Sequence, residues 1–171
     1  MNVYGKRAVQ VAYVYLCWLA MMATHEIGHV LHAWLWDGQV ERVVVPWFDF
    51  SRTDLSHNPH PLFVAWGGAL WGGLIPLALL ALAQASRNRF VGWVQFLAGF
   101  CLIANGAYLA AGSVSGAGDA GDLMRYGAPR WQLVVPGLLA AALGLYLWHR
   151  LGLQPAKPAV SDVSNEDSAT R

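Results

Sequence analysis

Residues 22–38 read MATHEIGHVLHAWLWDG and lie in an apolar run that extends from about Ala8 to Trp36. A run of that length can cross a bilayer, which takes about 20 apolar residues. Yet it carries His25, Glu26, His29 and His32. Ionisable groups at membrane depth are costly and mark functional sites. The stretch therefore raises two expectations at once, a membrane helix and a polar site built on it.

A secretory leader is the competing reading, since Lys6 and Arg7 precede the run and LAMMA, residues 19–23, offers small residues. The apolar character continues past THEIGH to Trp36, longer than a leader core. The run is expected to be a retained span.

The rest of the chain agrees with lipid as its solvent. It is 56% hydrophobic and 12% charged, with 9 Trp, where a water-soluble domain carries about 25% charge. Further apolar stretches cover about Pro61–Ala85, Phe90–Gly112 and Trp131–His149. The fold class expected is an all-α membrane protein of about four transmembrane helices, multi-pass in a cell (plasma) membrane. Residues 1–150 form one polytopic domain, and the polar tail 151–171 has too little to bury and is expected to be disordered. Trp34, Trp36, Trp131 and Trp148 fall near span ends, where aromatic belts form. A net charge of +1 gives no sign of a nucleic-acid partner. Cys17 and Cys101 sit in apolar runs and read as buried thiols.

The connections are 37–60, 86–89 and 113–130. Within the first, VERVVVPWFDF, residues 40–50, is β-branched and aromatic and reads as a short strand or hairpin broken at Pro46. SHNPHP, residues 56–61, then turns the chain into the second span, because proline disfavours helix before it. With the N-terminus in the cytoplasm, Lys6, Arg7, Arg87, Arg89, Arg150, Lys157 and Arg171 lie inside, against Arg42, Arg52, Arg125 and Arg130 outside. The positive-inside rule favours that orientation.

His25, Glu26 and His29 form H-E-x-x-H. Helical spacing puts the two imidazoles on one face, a turn apart, where they can share one metal ion, and zinc is the usual occupant. Glu26, next to His25, is placed to take a proton from a water attacking a carbonyl. His32 lies on the same face, but seven residues of helix rise about 10 Å, so it is expected to pack rather than ligate. The alternative for the whole group is a polar cluster that bonds neighbouring helices.

A catalytic zinc generally takes three protein ligands, and the helix supplies two. If the spans alternate, the C-terminal ends of the first and third share a side. Just beyond the third comes GSVSGAGDAGDLMRYG, residues 112–127. Asp119 and Asp122 are the carboxylates there, spaced to share one face if a helix starts. Asp119, nearer the span, is slightly favoured. The plainer reading makes Asp119 a helix cap and Asp122 a partner of the helix dipole. His57 and His60 compete as ligands.

These features resemble the site-2 protease family of membrane zinc metalloproteases: HEIGH in the first span, a strand-like loop after it, and a carboxylate near the end of a later span. The resemblance covers about residues 15–125. It implies one zinc ion held by His25, His29 and either Asp119 or Asp122, Glu26 as catalytic base, and a membrane protein or peptide as substrate. The family's Asn-Pro…Leu-Asp-Gly pattern is missing, and Asn105 in ANGAYLAAG only echoes its Asn.

Other residues suggest support for such a site. Gly68 and Gly72, flanked by Gly67 and Gly73, form a G-x-x-x-G face that can seat a helix closely. Pro76 is expected to kink its span. Asn105 and Tyr108 can bond between helices or toward the site. A strand near Val40–Val45 can pair with an unwound substrate. The other function classes are a di-iron membrane oxygenase, which by family resemblance needs about eight histidines against the 6 present, and a non-catalytic scaffold or metal carrier.

Overall fold

The computed structural model describes residues 2–152. It contains α1 (Val3–Leu35), β1 (Gln39–Val44), β2 (Arg52–His57), α2 (Pro61–Ala85), α3 (Val91–Ser115), α4 (Gly118–Arg125) and α5 (Trp131–Gly152). α1, α2, α3 and α5 are long and apolar enough to cross a membrane. The first two residues of the expected tail, Leu151 and Gly152, close α5, and the remainder of the tail lies outside the described residues. α1 begins earlier than the apolar run suggests, because Asn2 caps it by accepting from the Gly5 amide at 2.9 Å. Its 33 residues span about 50 Å at 1.5 Å each, more than the roughly 30 Å of hydrocarbon in a bilayer.

The helices turn many large apolar side chains outward and bury several polar ones. Leu16, Leu70, Leu74, Leu138 and Leu139 are exposed, while Gln95, Asn105 and Ser113 are buried with the histidines. So much exposed apolar surface beside buried polar groups fits helices whose contacts rest on close packing and internal hydrogen bonds rather than on exclusion of water. Glycines set the approach. A Cβ on Gly28 of α1 would meet the Gly67 carbonyl carbon of α2 at 2.6 Å, and one on Gly144 of α5 would meet the Gly99 carbonyl oxygen of α3 at 2.6 Å. Pro76 is buried inside α2, which runs unbroken through it. Trp148, near the C-terminal end of α5, also contacts α3. Its indole stacks on Phe96 at 5.0 Å and donates to the Phe96 carbonyl at 3.0 Å, joining α5 to α3.

β1 and β2 form an antiparallel hairpin with Val43 opposite Thr53 and Val44 opposite Arg52. Its tip leans on α1, where the Tyr15 hydroxyl donates to the Trp47 carbonyl at 3.0 Å. Arg42 bridges to Asp54 at 2.7 Å across the strands.

α4, which the sequence offered only as a conditional helix start, is what brings the acidic segment inward. Gly116 ends α3 in the left-handed region at φ 68°, its amide bonding back to the Gly112 carbonyl at 2.7 Å. Gly118 follows at φ 58° with the Tyr108 hydroxyl against it. The chain thus reverses within a few residues, and α4 buries Ala120 and Leu123 in a core with Ala65, Leu109, Ala128 and Leu133. Gly112 leaves space for this, since a Cβ there would lie 2.9 Å from that of Ala120.

Candidate metal centre

The i, i+4 spacing on α1 places the His25 and His29 rings side by side, with their Nε2 atoms 3.2 Å apart. Asp119, in the first turn of α4, reaches both. Its Oδ2 lies 2.7 Å from His25 Nε2 and 3.3 Å from His29 Nε2. These atoms come from two distant parts of the sequence and form one triangle. A tetrahedral zinc with ligand bonds near 2.05 Å has ligand–ligand edges of roughly 3.3 Å. The triangle fits one face of that tetrahedron, with one edge short. His25, His29 and Asp119 can therefore hold a metal ion.

The other ring nitrogens are already committed. His25 Nδ1 donates to Asn105 Oδ1 at 2.6 Å, and Asn105 Nδ2 donates to the Cys101 carbonyl at 2.9 Å. His29 Nδ1 donates to the Val64 carbonyl at 2.9 Å. With both protons on Nδ1, both Nε2 lone pairs face the triangle, the arrangement in which outer hydrogen bonds orient metal-binding imidazoles. α2 makes room beneath them. A Cβ on Gly68 would overlap Nε2 of both His25 and His29, and one on Gly72 would meet the Asn105 amide at 2.8 Å. The G-x-x-x-G face is thus a seat for the polar side chains as well as for the helix.

Glu26 is 2% exposed and faces the same polar cavity of about 270 Å³ that His25, His29 and Asp119 line. Its Oε2 accepts from the Thr53 hydroxyl of β2 at 2.6 Å. Thr53 and Leu55 of β2 line the cavity, and β1, the strand expected from the sequence, pairs with β2. Asn58 also lines the cavity, and its buried Oδ1 has no hydrogen-bond partner among the described residues.

Of the two candidate carboxylates, Asp119 alone joins the triangle. Asp122, one turn on, borders the cavity but is paired with Arg125 at 3.0 Å. Asp119 is not a helix cap either, since the N-cap position belongs to Ala117. In the metal-free chain a proton on Nε2 of either ring bonds to Asp119; burial raises the carboxyl, but such hydrogen bonds from His25 and His29 outweigh it and hold the group well below the usual carboxylate range, and a bound ion would take that proton's place. His32 stays out of the cluster. Its ring stacks on Phe63 at 4.1 Å, and Nδ1 donates to the Phe63 carbonyl at 2.7 Å. His60 packs on Trp36, and His57 ends β2.

Thr53 and the Val64 carbonyl escape sequence reasoning. No pattern marks a threonine in a strand, and a backbone acceptor leaves no trace in residue type. No family model, curated protein or solved structure matches this chain.

Proposed function

We propose that this chain is a zinc endopeptidase embedded in a cell membrane, related to the site-2 protease family it resembles, and that it hydrolyses peptide bonds of membrane-associated proteins or peptides. The observation that carries this reading is the convergence of His25 Nε2, His29 Nε2 and Asp119 Oδ2 within 3.3 Å beside the buried carboxylate of Glu26.

When bound, zinc supplies Lewis acidity, which lowers the pKa of a coordinated water and polarises a carbonyl. The residues of the chain do the rest. His25, His29 and Asp119 hold the ion, with the imidazoles fixed by Asn105 and the Val64 carbonyl. Glu26 accepts the proton lost by the attacking water and delivers it to the departing amine nitrogen. Thr53, by donating to Glu26 Oε2, aims the other carboxylate oxygen.

The test uses the full chain in detergent micelles, its bound metal measured by mass spectrometry, and a mixture of apolar peptides as substrate. About one zinc per chain is expected, and two irons would favour the oxygenase class. Glu26→Gln removes the base but no ligand. It should keep the zinc and lose roughly 10²- to 10⁴-fold in cleavage rate. Wild-type cleavage by that variant would refute the mechanism, and absence of cleavage by a zinc-loaded wild type would leave a metal carrier on the same scaffold.

A further inference from the structure

A second cavity, of about 230 Å³, lies between α1 and α3. Trp18, Met21, Met22, Phe50 and Ala104 give it apolar walls. It shares His25, Ser51 and Tyr108 with the polar cavity of the metal centre. The two spaces are therefore neighbours across one of the ligands.

We infer that this apolar cavity is the subsite that receives a bulky apolar side chain of the residue flanking the cleaved bond. The inference rests on the peptidase reading and adds a substrate class to it. A peptide whose carbonyl lies at the His25–His29–Asp119 triangle has its neighbouring side chain within one residue's reach of His25, and the apolar space opens there.

Size and chemistry select the occupant. An apolar cavity of about 150 Å³ takes a benzene ring, so 230 Å³ accommodates leucine, methionine or phenylalanine. Polar side chains would find little to bond. Asn105 faces the space, but its oxygen is committed to His25 and its nitrogen to the Cys101 carbonyl, and the Ser51 and Tyr108 side chains belong to the border shared with the metal centre. Phe50, at the end of the loop between the strands, closes one wall. It lies edge-on to Trp18 at 6.3 Å and parallel to Tyr108 at 6.3 Å. A charged or amide side chain placed among these rings would lose its hydration without replacement.

Amino-acid hydroxamates separate this proposal from the reading beneath it, because they bind a metal through the hydroxamate and need no turnover. Binding of the glycine, leucine and phenylalanine hydroxamates to the zinc-loaded full chain is measured by calorimetry. The leucine and phenylalanine compounds should bind at least about tenfold more tightly than the glycine compound. Ala104→Phe fills the cavity and should erase that preference while keeping the zinc and the affinity for the glycine compound. Ala104→Leu, a smaller intrusion, should weaken the preference for phenylalanine first.

Equal binding of all compounds to the wild type would overturn the subsite and leave the metal centre standing. Failure of every hydroxamate to bind would count against the metal centre itself, and the subsite would fall with it.

Discussion

Asn105 Oδ1 accepts from His25 Nδ1 at 2.6 Å across the interface of α1 and α3. The amide is itself held, since its nitrogen donates to the Cys101 carbonyl one turn earlier on α3. The bond sets the tautomer of His25, and so decides which nitrogen faces Asp119. Asn105→Ala removes no ligand but frees the ring. Zinc affinity should fall about 10- to 100-fold, measured by competition with a chromophoric chelator, while helix content stays unchanged. Unaltered affinity would show that α1 orients the imidazole unaided.

Asp119 and Asp122 are adjacent turns of one short helix with different partners. Asp119 meets the imidazole pair, and Asp122 meets Arg125 near the surface. Asp119→Ala should reduce bound zinc to a small fraction of one per chain, because two ligands from a single helix leave the ion poorly held. Asp122→Ala should retain zinc at the wild-type level, since an exposed ion pair contributes little. Metal analysis of the purified variants checks both. Zinc loss in Asp122→Ala with retention in Asp119→Ala would reverse the assignment.

Much of this arrangement is legible in residue order. Apolar run length marks the four long helices, and H-E-x-x-H marks the imidazole pair because helical geometry alone brings residues four apart together. Alternation of the spans points to the segment after α3 as the source of a third group. The choice of Asp119 over Asp122 is not legible. It depends on Gly116 and Gly118 adopting positive φ, which sets where α4 begins and hence which carboxylate faces α1. Thr53 is hidden for a similar reason. Its contact with Glu26 follows from the hairpin's register and docking, both properties of packing rather than of local pattern. The contact of Trp148 with α3 is hidden too, because it depends on the space beside Gly99, where a Cβ would lie 2.5 Å from the indole.

The Arg42–Asp54 pair ties the two strands of the hairpin across their surface. Hydrogen bonding to Arg42 holds the Asp54 carboxyl below its ordinary value, with Arg52 adding to the effect. The folded pKa therefore lies below the unfolded one, and the stabilisation is complete above the unfolded value, about 3.9. It is lost as pH falls through the folded value. Amide exchange in β1 and β2, corrected for intrinsic rates, should show constant protection from pH 8 to about 5 and weaker protection below about 4. The change should be only a few-fold, as for other exposed pairs. Asp54→Asn should flatten the acid limb. An acid limb of the same size in that variant would assign the dependence to another group.

Gly68 distinguishes a seat for the metal centre from general helix packing. On the packing reading, each glycine serves the approach of α1 or α3 to α2, and enlarging any of them should separate the helices to a similar degree. The geometry is more selective. A Cβ at Gly68 would overlap Nε2 of both His25 and His29, whereas one at Gly73 would meet only Leu102 Cδ2, at 3.4 Å. Nε2 is the atom each ring offers to an ion, and the Nδ1 bonds to Asn105 and the Val64 carbonyl leave the rings no other orientation without loss of those bonds. Gly68→Ala should therefore lower zinc affinity by at least about 100-fold, the upper range for disturbed ligand orientation, while the chain remains helical in micelles. Gly73→Ala should bind zinc within about threefold of wild type. Circular dichroism and chelator competition on the two variants give the comparison. Equal losses in both would reduce the G-x-x-x-G face to ordinary packing, and full zinc affinity in Gly68→Ala would mean that the imidazole pair can meet the ion without the space this glycine leaves.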